Sequence, residues 1–135
     1  MIRLLLALFV SIMILLSCNS RSCPENLNDC IFSIKPDSVL VNIQLTNNAE
    51  NPSVRFELFK SYYEGNNENR VYVGEAFNEN TSVLLPPAYY TVKAIYNRNS
   101  DTVWVFNRGR SRVITYDCDF GCYDIKEPSI DVRLK

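Results

Sequence analysis

The chain has 135 residues, 47% hydrophobic and 21% charged, with 14 Lys+Arg against 15 Asp+Glu and a formal net charge of −1. That length allows one domain with a small core, and near-neutrality removes the case for general nucleic-acid binding. Histidine is absent, which excludes Ser-His-Asp and Cys-His catalysis, histidine-ligated zinc and imidazole acid–base work; carboxylate-pair hydrolysis and all-oxygen calcium sites survive.

The N-terminus opens Met1-Ile2-Arg3, runs apolar from Leu4 to Leu16 with only Ser11 interrupting, and turns polar at Asn19 to Ser22. A charged start, a short apolar run and a small residue before the break predict a secretory signal over 1–17. The run is shorter than the ~20 apolar residues of a transmembrane helix, so targeting is the expected role. Leu15 and Leu16 spoil the ordinary small-residue cleavage pattern. Leu15-Leu16-Ser17-Cys18 instead resembles the lipobox of bacterial lipoproteins, with a leucine at the second position as a mild departure.

That resemblance implies that the Cys18 thiol carries a diacylglycerol, that cleavage precedes it, and that its new amino group is acylated. Each buried methylene is worth ~0.8 kcal/mol, so two or three fatty chains hold a protein where one would not. Loss of Arg3 with the leader shifts the balance of charge from −1 to −2. Asn19 stands where the lipoprotein sorting rule reads aspartate as retention, which implies the outer membrane, on its periplasmic or its outer face. We expect a lipidated, flexible lead over 18–38.

With Cys18 assigned to lipid, Cys23, Cys30, Cys118 and Cys122 remain. An even number in an exported chain reads as a disulfide framework with three possible pairings. Crossed bridges would close loops of roughly ninety residues and stabilise by ~4–5 kcal/mol in the chain-entropy account, more than local ones. We therefore favour crossing. Only one of the spacings suits zinc, and no metal or other cofactor is expected.

From Val39 onward the pattern has a period of two. Val39, Val41, Ile43 and Leu45 alternate with more polar neighbours, and Val54, Phe56 and Leu58 are expected inward with Arg55 and Glu57 outward. The runs "RVYVGEAF", "TSVLL", "YYTVKAIY", "DTVWVF", "SRVITYD" and "SIDVRLK" follow, separated by Asn-, Gly- and Pro-rich breaks. No helical period is convincing after residue 18. The expectation is an all-β, small antiparallel β-sandwich of about seven to eight strands over 39–135, stapled by disulfides. Gly109 would suit the tip of a hairpin between "VWVF" and "RVITY".

"LLPPAYYTVKAIY", Leu84 to Tyr96, resembles the proline-turn lead into the central strand of transthyretin-like and carboxypeptidase-regulatory-like β-sandwiches, with Ala88 where that pattern usually has glycine. The match covers about a dozen residues, and the other strands fit only by number and order. It implies a prealbumin-like sandwich serving as a stalk, accessory or binding module, not usually catalytic. An outer-membrane lipoprotein of type VI secretion systems is similar in architecture, a lipidated cysteine followed by such a sandwich.

Three groups of side chains are candidates for chemistry. Asp117, Asp119 and Asp124 surround Gly121, part of what a calcium loop needs but without its further ligands; solvated acids on a cysteine-stapled loop are the simpler account. Arg108, Arg110 and Arg112 would share a face if strand pairing continued through them, and could meet phosphates or an acidic partner. Tyr62-Tyr63, Tyr89 and Trp104 could stack on a sugar ring, although adjacent aromatics on a strand point to opposite faces and core is their default. No carboxylate pair has a spacing that marks a glycosidase.

The sequence thus predicts a non-catalytic envelope lipoprotein. Its partners are the membrane through the anchor and either an envelope protein or a glycan. A subunit of a secretion or transport assembly and a carbohydrate-binding or adhesin-like surface module are the alternatives.

Overall fold

The structure, a computed structural model, describes residues 23–24 and 30–135. The expected leader over 1–17 and Cys18 lie outside the described residues. These residues form nine strands and no helix: β1 (Val39–Gln44), β2 (Val54–Lys60), β3 (Arg70–Ala76), β4 (Asn80–Leu85), β5 (Tyr89–Arg98), β6 (Asp101–Arg110), β7 (Arg112–Thr115), β8 (Tyr123–Lys126) and β9 (Ser129–Asp131).

Two sheets face each other, one ordered β4-β1-β9 and the other β3-β2-β5-β6. The alternation in β1 places Val41 and Ile43, followed by Leu45, against Phe56 and Leu58 of β2 and Tyr90, Val92, Ala94 and Tyr96 of β5. Alternate residues of one strand share a face, so each strand supplies one apolar row. Their burial is the main drive to fold.

Side-chain hydrogen bonds close the ends of this sandwich. Tyr96 donates its hydroxyl to the Val132 carbonyl at 2.9 Å and accepts from the Thr46 amide at 3.0 Å. Asn51, also buried, accepts from the Asn97 amide and donates to the Asn97 carbonyl, as a neighbouring strand would. Tyr90 donates to the Pro86 carbonyl four residues upstream, fixing the proline turn that leads into β5. Ala88 does not have a positive φ, so it meets no penalty where the related pattern has glycine.

The β5–β6 hairpin turns through Asn99 and Ser100, with φ of 51° and 70°. Two left-handed residues match the twist of paired strands, and Asn tolerates that conformation well.

Several expectations are corrected. β9 pairs parallel to β1, with Ile43 opposite Ile130, so the sandwich is not wholly antiparallel. Parallel neighbours need a long crossover, and nearly the whole domain lies between these two strands. β8, unforeseen, pairs with β7 in a separate two-stranded sheet.

Gly109 is no hairpin tip. It lies inside β6 opposite Tyr90, and a Cβ there would sit 2.8 Å from both Ile130 Cγ1 and Pro128 Cβ. The glycine admits β9 to the face of β6. The chain then turns at buried Ser111, whose hydroxyl accepts from the Ala88 amide and donates to the Ala88 carbonyl.

The four cysteines pair crosswise, Cys23 with Cys118 and Cys30 with Cys122, at sequence separations of 95 and 92. Phe32 and Tyr123 exchange backbone hydrogen bonds at 3.1 and 2.9 Å. The described part of the lead is therefore fastened to the β7–β8 hairpin at three points.

Candidate functional site: the outer face of the four-stranded sheet

Strand alternation builds this face. β6 turns Val103 and Val105 inward and sends Trp104, Phe106, Arg108 and Arg110 outward, opposite Ile95, Lys93, Thr91 and Tyr89 of β5. Over these seven positions of β6 the row is ~20 Å long.

Tyr62 and Tyr63 reach the same face because the chain leaves β2 at Ser61 in a left-handed conformation, φ 72°. Ser61 donates its amide to the Tyr89 carbonyl, and its own carbonyl accepts from the Thr91 hydroxyl at 2.7 Å. These bonds swing the segment over the sheet. Two adjacent tyrosines thus lie on one side, which strand geometry alone would forbid.

The two ends of the face differ. At one end Glu57, on an outward position of β2, is buried by three cations: Arg55 at 3.2 Å, Arg70 at 3.4 Å and Lys93 at 3.6 Å. Glu57 points outward as expected, yet it is buried, since these side chains cover it. Phe59 is buried on the same side, against Tyr63, which stacks in turn on Phe106 with ring centroids 5.1 Å apart. Lys93 Nζ lies 4.3 Å from the Trp104 ring centroid. Trp104 itself is 57% exposed, not in the core.

At the other end Arg108 lies over the Tyr62 ring at 5.0 Å and Arg110 over Tyr89 at 4.8 Å, with an Arg110 Nη1 donor 3.3 Å from the Tyr89 hydroxyl. Tyr62 and Tyr89 are 63% and 55% exposed. Among the described residues neither arginine forms a salt bridge.

A cleft of about 460 Å³ runs between Tyr62 and Tyr89, with Arg108 on its wall and Gly109 and Tyr90 lining it. Burial pushes the Tyr90 phenol above its ordinary pKa. A second cleft of about 570 Å³ shares Tyr89 with the first and adds Arg110, Lys35, Arg112 and Asp37. Both fall within the ~300–1,000 Å³ of small-ligand sites.

The structure thus joins two groups that the sequence suggested separately, the tyrosines and the arginines. Arg112 is not on the sheet face: it belongs to β7, opposite Lys126, and reaches the site through the second cleft. Lys35 was missed, because nothing in a pre-strand loop announces where it packs. The loop acids are not gathered into a ligand set. Asp124 accepts from the Ile125 amide, and among the described residues no three Cys, Asp or Glu side chains are placed to hold a metal.

No helix among the described residues is long and apolar enough to cross a membrane. No family model matches the chain, and comparison with curated proteins and with solved structures finds no significant similarity.

Proposed function

We propose that this chain is a cell-envelope lipoprotein, tethered by lipid on Cys18 to a Gram-negative outer membrane, whose transthyretin-like sandwich works by binding and not by catalysis. The observation that carries the binding reading is the exposed aromatic and arginine row on one face of the β3-β2-β5-β6 sheet. Large exposed apolar surface is unfavourable in water, and aromatic side chains and arginines are enriched in recognition surfaces. The proline turn at Pro86-Pro87, leading into a strand with neighbours on both sides, supports the sandwich resemblance. The lipid reading rests on Leu15-Leu16-Ser17-Cys18 behind an apolar leader.

The anchor fits the crossed disulfides. Cys23 lies five positions after Cys18, a span of at most ~18 Å. The stapled hairpin would then be held close to the bilayer, and the lipid needs no other contact with the chain.

Membrane fractionation with in-cell crosslinking tests this. The wild-type chain is expected in the outer-membrane fraction with a fatty-acyl label, and Cys18→Ala is expected to lose the label and become soluble. A Cys18→Ala chain that stays in the membrane would overturn the anchor.

A further inference from the structure

We propose that the open end of the sheet face is a binding site for an extended acidic saccharide, with pyranose rings on Tyr62 and Tyr89 and the sugars' carboxylate or phosphate groups on Arg108, Arg110 and Arg112. This rests on reading the domain as a binding module and names its ligand class.

Charge complementarity is the first argument. Arg55, Arg70 and Lys93 each lie within salt-bridge range of Glu57, whereas Arg108 and Arg110 stand two residues apart on one face with no carboxylate in salt-bridge range among the described residues. In the adjoining cleft Arg112 and Lys35 add two cations against the single acid Asp37. The register also sets Arg112 opposite Lys126, and like charges directly opposed across a ladder destabilise it. A bound anion relieves both repulsions, and guanidinium forks suit carboxylate and phosphate geometry.

The second argument is shape. The anionic groups alone would need no tyrosines, yet Arg108 and Arg110 each lie over a tyrosine ring and each cleft is walled by one. A flat ring with a polar edge fits a pyranose, whose C–H face is apolar and whose hydroxyls are not. Tyr89 belongs to both clefts, so the two subsites are continuous. A ligand filling them is a chain of sugar units and not one ring.

A membrane surface is the weaker occupant. Anionic lipid would be met by a convex basic patch, and here the cations line concave clefts with tyrosine walls.

The test uses the full chain in detergent, titrated with oligogalacturonate as the carboxylated probe and mannose-phosphate oligomer as the phosphorylated one. Maltohexaose supplies rings without charge, and polyphosphate supplies charge without rings. At least one acidic saccharide is expected to bind in the clefts and to weaken with added salt, with the two controls about tenfold or more weaker. Which of the two probes binds more tightly identifies the anion.

Arg108→Gln and Tyr89→Ala are each expected to lower that affinity by about tenfold. Arg55→Gln removes the same charge from the closed end and is expected to leave affinity within about twofold, so equal losses from Arg55→Gln and Arg108→Gln would overturn the site as drawn. Polyphosphate or maltohexaose binding as tightly as the acidic saccharides would overturn the ligand class, and no binding by either acidic saccharide would overturn the proposal. Because the titration needs no lipid, its failure beside intact fractionation and crosslinking would leave the anchored-module reading standing.

Discussion

The two ends of the outer sheet face carry similar side chains and differ by one carboxylate. Around Glu57, two arginines, a lysine and several aromatics close into a compact cover; around Tyr62 and Tyr89, two arginines lie over tyrosines with no acid in salt-bridge range among the described residues. A buried acid converts cations into structure, because the guanidinium and ammonium groups are then fixed by attraction to a centre within the protein. Without one they remain available to an anion from outside. Composition of a face does not distinguish scaffold from site; whether a carboxylate of the protein holds its cations does.

The sharpest way to break the contrast is to remove the acid. Glu57→Gln leaves three cations facing one another at the closed end and is expected to lower unfolding free energy by about 2–3 kcal/mol, read from the urea midpoint. That is less than the ~3–5 kcal/mol of a fully buried pair because the Arg55 side chain is 59% exposed and can rehydrate. Arg108→Gln at the open end is expected to change stability by no more than about 0.5 kcal/mol. Equal losses would mean that both ends are scaffold.

Beneath the open end, Gly109→Ala is expected to cost about 1–3 kcal/mol, since its Cβ would press on Ile130 of β9 and on Pro128 just before it. A neutral result in thermal melts would show that β9 does not lie against β6.

The smallest expected effect concerns pH. Burial raises the Tyr90 and Tyr96 phenols above 10.0. A raised folded value means that the native state holds its protons more tightly than the unfolded chain. The stability from these two groups is therefore complete below about pH 10, the value for an unfolded tyrosine, and is lost as pH rises through their higher folded values. Melting temperature is expected to hold steady up to about pH 9 from this source and to fall above 10. Tyr96→Phe should flatten part of that fall.

How much of this was legible in the sequence depends on the range of the interaction involved. Val39, Val41 and Ile43 announce β1 because alternation is local, and "NRNSD" announces a hairpin because left-handed φ has its own residue preferences. Gly109 was misread for the same reason. A glycine looks like a turn from its neighbours alone, whereas its actual requirement comes from Ile130, twenty-one residues away and in the other sheet. Glu57 was correctly expected on the outward face of β2, but its burial depends on Arg70 and Lys93 from two other strands.

The site divides in the same manner. Its residue types were visible, and the alternation that puts Trp104, Phe106, Arg108 and Arg110 on one face follows from the period of a strand. That Tyr62 and Tyr63 join them needed the left-handed Ser61, and that Lys35 joins Arg112 needed the hairpin that carries the N-terminal lead.

By itself the sequence determined the all-β class, most of the strands, the inward rows of β1 and β2, and an even set of cysteines after residue 18; each is set by patterns within a few residues. Tertiary structure alone decided the parallel place of β9, which cysteine of each crossed bridge meets which, the burial of Glu57 and the freedom of Arg108 and Arg110. Those depend on which distant charges and surfaces fold up against one another, and a charge has no fixed role until its neighbours in space are known.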